Sequence, residues 1–304
     1  MRQRVAVHAM ATRFECVLLG EQSARLRSIG EAALREITSL ESRLSFYDGR
    51  SELSRINREA ARTPVPLAPD VMDLLLLCRR IHRMTHGAFD PTVAGLMSAW
   101  GFTGTAHRVP GTEERRRALQ AVGMDRVELD ENRCTVRFET PGVSLDLGGV
   151  AKGYALDVAR TVLEDHGIEN ALLHGGTSTV LALGTDEDGR TWNVGLADPW
   201  ADQKDAWFRR TDVDNECLSV SAVSGKSFVD GDVEYGHVID PRSGEAVSGQ
   251  LVAACVAPSA AEADALSTAM LVLMPEETTE NLGRCARFRR TTDGWTIAAG
   301  RFDD

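Results

Sequence analysis

The residue types that chemistry on an anion would need are concentrated in residues 144–154, SLDLGGVAKGY. Residues 144–147 alternate polar and apolar, as a half-buried strand does. Two glycines then make a turn, and a helix is expected over 151–166 with Val150, Tyr154, Val158 and Val162 on one face. Lys152 would sit in the first turn of that helix, where the dipole favours an anion and not a cation. An external anion such as a phosphate reconciles the two, because free N–H groups and the ammonium would converge on it. A glycine turn carrying a solvated lysine is the alternative. The stretch lacks both G-K-[ST] and G-x-G-x-x-G, so it is neither a Walker loop nor a dinucleotide fingerprint.

A second group lies near the C-terminal end. Ser259 and Glu262 are spaced as a capping box, which sets the phase of the helix that follows, expected over 260–273. Asp264 and Thr268 then fall four apart on one face and offer two hard oxygens to one cation. Mg²⁺ suits such a pair, since it commonly keeps waters and substrate phosphates in its octahedron. An intrahelical Thr–Asp contact is the alternative, but the neighbours Ala263, Ala265, Leu266, Ala269, Met270 and Leu271 are small or apolar, and a carboxylate packed among them needs a partner. His237 stands on a strand running into the turn Asp240-Pro241-Arg242-Ser243-Gly244. His174-Gly175-Gly176 is a strand end suited to close approach, and Phe46 or Tyr47 could stack on a flat ring.

The elements that must position these groups mix without regular βα alternation. Extended segments over 4–19, interrupted at Met10-Ala11-Thr12, precede a helix over 22–40 and a polar irregular segment over 42–57. An apolar helix over 71–84 starts at Asp70 as N-cap and stops near Gly87. A charged peripheral helix over 112–122 leads into strands over 127–129, 135–138 and 144–147. Strands over 170–174, 179–182 and 192–196, a polar excursion over 198–215, and strands over 217–221, 236–239 and 251–256 follow. A charged helix over 276–284 and a hairpin at Asp293-Gly294 close the chain. The expected fold is α+β, with mixed or antiparallel sheets and packed helices. Without repeats or a linker, the 304 residues are expected to form a single unit or two intimately joined subdomains.

Composition bounds the partners. A formal charge of -11 argues against nucleic acid or anionic membrane, and it means that a phosphorylated ligand must be held by local cations. The six cysteines form no C-x-x-C and suit buried free thiols in a reducing compartment. With no apolar leader, no lipobox cysteine and no run of membrane-spanning length, a cytoplasmic protein is expected.

Taken in order, the motifs resemble the ApbE family of flavin transferases over nearly the whole chain, from Met10 to about Leu273. The strings that carry the resemblance are Met10-Ala11-Thr12, SELSRIN over 51–57, THGAFDPT over 85–92, LDLGGVAKGY over 145–154, HVIDPRSG over 237–244 and ADALST over 263–268. The resemblance implies a T-fold-like architecture and transfer of FMN from FAD to a Thr or Ser hydroxyl of an acceptor protein, with release of AMP. It implies Mg²⁺ held by Asp264, Thr268 and the carbonyl of Gly149. Met10, Tyr47, Ala88, Phe89, Asp90, Asp146, Lys152, His237 and Val238 would surround FAD, and Asp264, His237 and Lys152 would carry the chemistry. Ala11 stands where the family usually has glycine, and Thr177 where it usually has Asp or Asn. FAD hydrolysis to FMN and AMP at the same site, or flavin binding without catalysis, are the competing readings.

Overall fold

The computed structural model describes residues 1–203, 206–277 and 282–302. Strands β1 (Arg2–Ala9) and β2 (Thr12–Leu19) pair antiparallel from Arg2↔Leu19 to Ala9↔Thr12, leaving Met10 and Ala11 as a two-residue loop. Both loop residues have positive φ, 49° and 58°, the type I′ pattern whose twist matches the flanking strands. Ala11 therefore occupies a left-handed conformation that glycine would adopt without strain. Helix α1 (Ser23–Leu44) buries Leu26, Ile29, Ala33, Ile37 and Leu40 at helical spacing. It runs beyond the expected stop because Leu44 continues the same stripe.

The segment expected to be irregular contains a helix, α2 (Glu52–Glu59). The Ser51 Oγ accepts a hydrogen bond from Ser54 N at 3.0 Å, and Leu53 and Ile56 are buried; the polar composition hid a short amphipathic pattern. After β3 (Val65–Pro66) comes α3 (Pro69–Met84), capped at Ala68 and not at Asp70. Pro69 is pre-organised for the first helical turn, and Asp70, already inside the helix, takes a two-pronged ion pair from Arg43 at 2.7 and 2.8 Å. The helix stops as expected, with Gly87 (φ 79°) donating to the His82 carbonyl at 2.8 Å. Helix α4 (Ala94–Ala99) and α5 (Thr112–Leu119) follow, α5 with no buried residue, in keeping with a peripheral position. Strands β4 (Val127–Asp130) and β5 (Thr135–Phe138) join β3 in a small antiparallel sheet.

Residues 144–147 alternate half-buried and buried but belong to no sheet, a correction to the expected strand. Their pleat-like alternation is held by a side chain instead, as described below. Helix α6 (Ala151–Asp165) buries Leu156, Ala159 and Leu163, while Tyr154, Val158 and Val162 pack half-buried at the margin of that stripe. Then come β6 (Ala171–Gly175), β7 (Thr179–Leu183), β8 (Trp192–Ala197), β9 (Trp207–Val213), β10 (Cys217–Ala222), β11 (Ser227–Asp230), β12 (Val233–Ile239), β13 (Ala246–Ser248) and β14 (Leu251–Ala257). Helix α7 (Ala260–Val272) and strands β15 (Arg284–Thr291) and β16 (Gly294–Gly300) complete the chain. β9 lies inside the expected polar excursion: Thr211 and Val213 alternate inward, and Phe208 stacks on Trp295 at 4.3 Å. The charged helix expected over 276–284 falls in part outside the described residues, and those described on either side are not α-helical. Pro275–Glu277 is a single 3₁₀ turn, residues 278–281 lie outside the described residues, and β15 begins at Arg284.

The main sheet has eight antiparallel strands in the order β1-β2-β6-β7-β10-β14-β15-β16. Helices α1, α6 and α7 cover one face and enclose the main core; the β8–β9 ribbon covers part of the other with Leu196 and Val213 against Leu218 and Phe288. This is the α+β arrangement expected. Helix α7 is apolar all round and buried on nearly every side, so any polar group it carries is committed to a partner. All six cysteines are unpaired and five are buried. No helix among the described residues is long and apolar enough to cross a membrane.

Candidate active site

The glycine turn is fixed in space by Asn57. Its side-chain amide donates to the Leu145 carbonyl at 2.9 Å and accepts from Leu145 N at 2.8 Å, replacing the strand partner that residues 144–147 lack. Asp146 N donates to the Pro91 carbonyl at 2.7 Å, which ties the turn to the 85–92 segment. Asp146 then folds back to accept from Gly148 N at 2.8 Å. Asn57 was legible only as part of a motif string; nothing in its spacing announced this contact.

Helices α6 and α7 meet end to end and cap each other. Gly153, third in α6, has one of the N–H groups that a helix start leaves unpaired, and Asp264 Oδ2 of α7 accepts it at 3.1 Å. Asp157 of α6 returns the contact, accepting from Ala260 N at 2.8 Å, Ala261 N at 2.9 Å and Ser259 Oγ at 2.8 Å. Ser259 also accepts from Glu262 N at 3.3 Å, as the capping box requires, but the Glu262 carboxylate pairs with Arg80 instead. The approach depends on Gly153: a Cβ there would lie 2.1 Å from the Ala260 carbonyl oxygen.

This contact gathers the expected metal ligands. Asp264 is buried, with Oδ1 accepting from Ser219 Oγ at 3.1 Å and Oδ2 lying 3.5 Å from Lys152 Nζ. Thr268 Oγ1 donates to the Asp264 carbonyl at 3.1 Å, which directs its proton inward and leaves its lone pairs outward. Gly149 abuts it: a Cβ on Gly149 would sit 3.3 Å from Thr268 Oγ1. Ala151 N donates to the Leu147 carbonyl at 2.8 Å and Tyr154 N to that of Val150 at 3.0 Å, while the Gly149 carbonyl between them receives no hydrogen bond among the described residues. A carboxylate, a hydroxyl and an open carbonyl are the oxygen donors that Mg²⁺ favours. Among the described residues no three His, Cys, Asp or Glu side chains form a metal cluster, so any ion here would depend on ligands beyond the protein's carboxylates.

Similarity to known proteins decides the family. The ApbE family model matches residues 10–287. The chain belongs to the ApbE family. It is 28% identical to an FAD:protein FMN transferase of Klebsiella pneumoniae (strain 342), over 88% of this chain and 77% of that one. It is 27% identical to that of Escherichia coli (strain K12), over 90% and 79%. The ApbE protein from Thermotoga maritima superposes with a TM-score of 0.87 at 30% identity, covering 100% of this chain and 97% of that one. The apo flavinyl transferase ApbE of Pseudomonas stutzeri superposes with a TM-score of 0.82 at 26% identity, covering 98% and 94%.

The remaining residues expected at an ApbE ligand site fall into two groups. Phe89, Asp146, Lys152 and His237 join the glycine turn. A Gly149 Cβ would touch Phe89 Cε2 at 3.4 Å, Lys152 Nζ donates to the Gly148 carbonyl at 3.4 Å, and the charges of Lys152 and Lys226 both act on His237. Tyr47 is 66% exposed, its phenol pushed up by burial and by the nearby Asp146 charge, while the adjacent Phe46 packs against the core. Met10 sits half-buried at the β1–β2 tip, its N–H held by Glu41 at 2.6 Å. Ala88 and Val238 are buried in the main core. The Asp90 carboxylate is a packing hub, accepting from Thr92 N and Oγ1 at 2.8 and 2.6 Å and from Met124 N at 2.9 Å, with His82 at 3.1 Å. It lines a cavity of about 450 Å³ with His82, His86, Asp125 and Arg242, which none of Asp264, Thr268, Lys152 or His237 lines.

His237 is held neutral. Burial foremost, then the Lys226 charge and more weakly that of Lys152, pushes its pKa down to about 4 from 6.5. The unfolded chain gains a proton below 6.5 that the folded chain refuses, so this group's contribution to stability is lost as pH falls from 6.5 to about 4. The unfolding free energy of His237→Gln is therefore expected to decline less steeply than wild type across that window. Equal slopes in chemical denaturation would show that His237 titrates normally.

Proposed function

We propose that this ApbE protein transfers FMN from FAD to a Thr or Ser hydroxyl of an acceptor protein, using Mg²⁺ and releasing AMP. The observation that carries the reading is the convergence of the Asp264 carboxylate, the Thr268 hydroxyl and the unbonded Gly149 carbonyl beside Lys152. A dinucleotide's diphosphate is the ligand that needs such a grip on a chain of net charge -11. Those three groups would hold Mg²⁺, which when bound supplies neutralisation of the diphosphate and of the charge left on AMP. Lys152 would hold non-bridging phosphoryl oxygens where charge develops. Phe89, Tyr47 and Met10 would flank the rings, with Ala88, Asp90 and Val238 supporting that wall from behind.

The acceptor hydroxyl oxygen bonds to the FMN phosphorus as the bond to the AMP oxygen breaks. The hydroxyl proton needs a base, and of the two candidates, His237 and Asp264, His237 would take it. Its Nδ1 lies 3.2 Å from the Lys226 carbonyl, which can only accept, so Nδ1 carries the hydrogen and Nε2 is free to receive a proton. Asp264, the other candidate base, has both carboxylate oxygens engaged.

Incubation with FAD and Mg²⁺, with and without a protein bearing an exposed Thr or Ser flavinylation motif, tests the reading. The expected result is an intact-mass gain of one FMN phosphoester on the acceptor, with AMP in equal amount. Steady AMP release without acceptor would replace the transferase by a hydrolase, and FAD binding without AMP would leave a binding protein.

A further inference from the structure

Lysine is scarce in this chain: only Lys152, Lys204 and Lys226 are lysines among 34 Lys and Arg residues. A sequence that supplies almost all its surface cations as arginine keeps lysine at one position already placed in the site. The compact, mobile ammonium differs from a planar guanidinium in what it can follow. Lys226 invites the same question. It immediately precedes β11, whose register with β12 ends at Ser227↔Gly236, so Lys226 flanks the next residue of β12, His237. The contact of His237 Nδ1 with the Lys226 carbonyl at 3.2 Å fits that placement.

Two further observations aim Lys226 at the site. Its charge reaches both Asp146 and His237, favouring the ionised form of Asp146 and the neutral form of His237. Unlike Lys152, which has Asp264 at 3.5 Å, Lys226 Nζ has no carboxylate within 4 Å among the described residues. On an acidic chain, a cation without a counter-charge at the mouth of an anion site is available for a ligand.

We propose that Lys226 is a second ammonium of the ligand site, binding the diphosphate of FAD from the β11–β12 side, opposite Lys152 and Asp264. The proposal rests on the reading of this site as an FAD site and names a binding residue of it. Because the Lys226 side chain is exposed and its contact with His237 is made by the backbone, its truncation leaves the fold in place.

The test compares wild type, Lys226→Met and Lys226→Arg for binding of FAD, ADP and riboflavin in the presence of Mg²⁺ at two salt concentrations. Expected is about a tenfold weaker Kd for FAD and ADP in Lys226→Met, a smaller salt dependence, an unchanged riboflavin Kd and partial recovery in Lys226→Arg. Unchanged FAD and ADP affinity in Lys226→Met overturns the proposal. An equal loss for riboflavin also overturns it, since the side chain would then act on the shape of the site and not on phosphate. Failure of the wild-type protein to bind FAD at all would instead strike the reading of the site itself.

Discussion

Asp264→Asn is expected to leave a folded protein that has lost Mg²⁺-dependent transfer by on the order of 10³-fold, several kcal/mol of transition-state stabilisation. Asparagine is nearly isosteric and can satisfy the same frame: its carbonyl oxygen can accept from Gly153 N, and its amide can donate to Ser219 Oγ. What it removes is the negative charge, which a hard divalent cation needs and which Lys152 faces at 3.5 Å. Asp264→Ala is a blunter tool, because it also strips the partner from the Gly153 N–H inside the α6–α7 contact. The measurement is Mg²⁺ affinity by calorimetry, FMN transfer by acceptor mass, and thermal unfolding of the metal-free protein. A variant with wild-type unfolding and undiminished Mg²⁺-dependent transfer would remove Asp264 from the metal site.

The parts of this site legible in the sequence are those where local chemistry fixes local structure. Ser259 and Glu262 set the phase of α7, and that phase alone brought Asp264 and Thr268 to one face. Paired glycines beside Lys152 pointed to an anion for a similar reason. What stayed hidden depends on contacts between segments far apart in the chain. Asn57 looks like any polar helix residue until Leu145, 88 positions away, is seen docked on its amide. Asp157 and Ser219 are likewise unremarkable until α7 is laid against α6 and β10. The expected strand at 144–147 and the expected cap at Asp70 were missed for the converse reason. In each, a partner from elsewhere decided the outcome: Asn57 gives residues 144–147 the hydrogen bonds that a neighbouring strand would supply, and Arg43 engages the Asp70 carboxylate in an ion pair inside a helix that already begins at Pro69.

Gly153→Ala is the other substitution with a large expected effect, and its cause is steric. A Cβ at 153 would lie 2.1 Å from the Ala260 oxygen, 2.4 Å from the Ala260 carbon and 2.7 Å from Ala261 N, all backbone atoms that no side-chain rotation can clear. Relief requires α6 and α7 to separate at their N-termini, lengthening the Gly153–Asp264 and Asp157–Ala260 hydrogen bonds together. Overpacking of this kind costs about 1–3 kcal/mol, and two weakened helix caps add about 1 kcal/mol each. Alanine is otherwise the better helix former by about 1 kcal/mol, so an isolated helix would predict stabilisation, and the sign of the effect separates the two accounts. The expected outcome is a loss of about 2–4 kcal/mol in chemical denaturation, with a weaker Mg²⁺ affinity because Asp264 is carried away from Gly149. An unchanged or raised stability would mean that the helix ends stand further apart than a glycine contact requires.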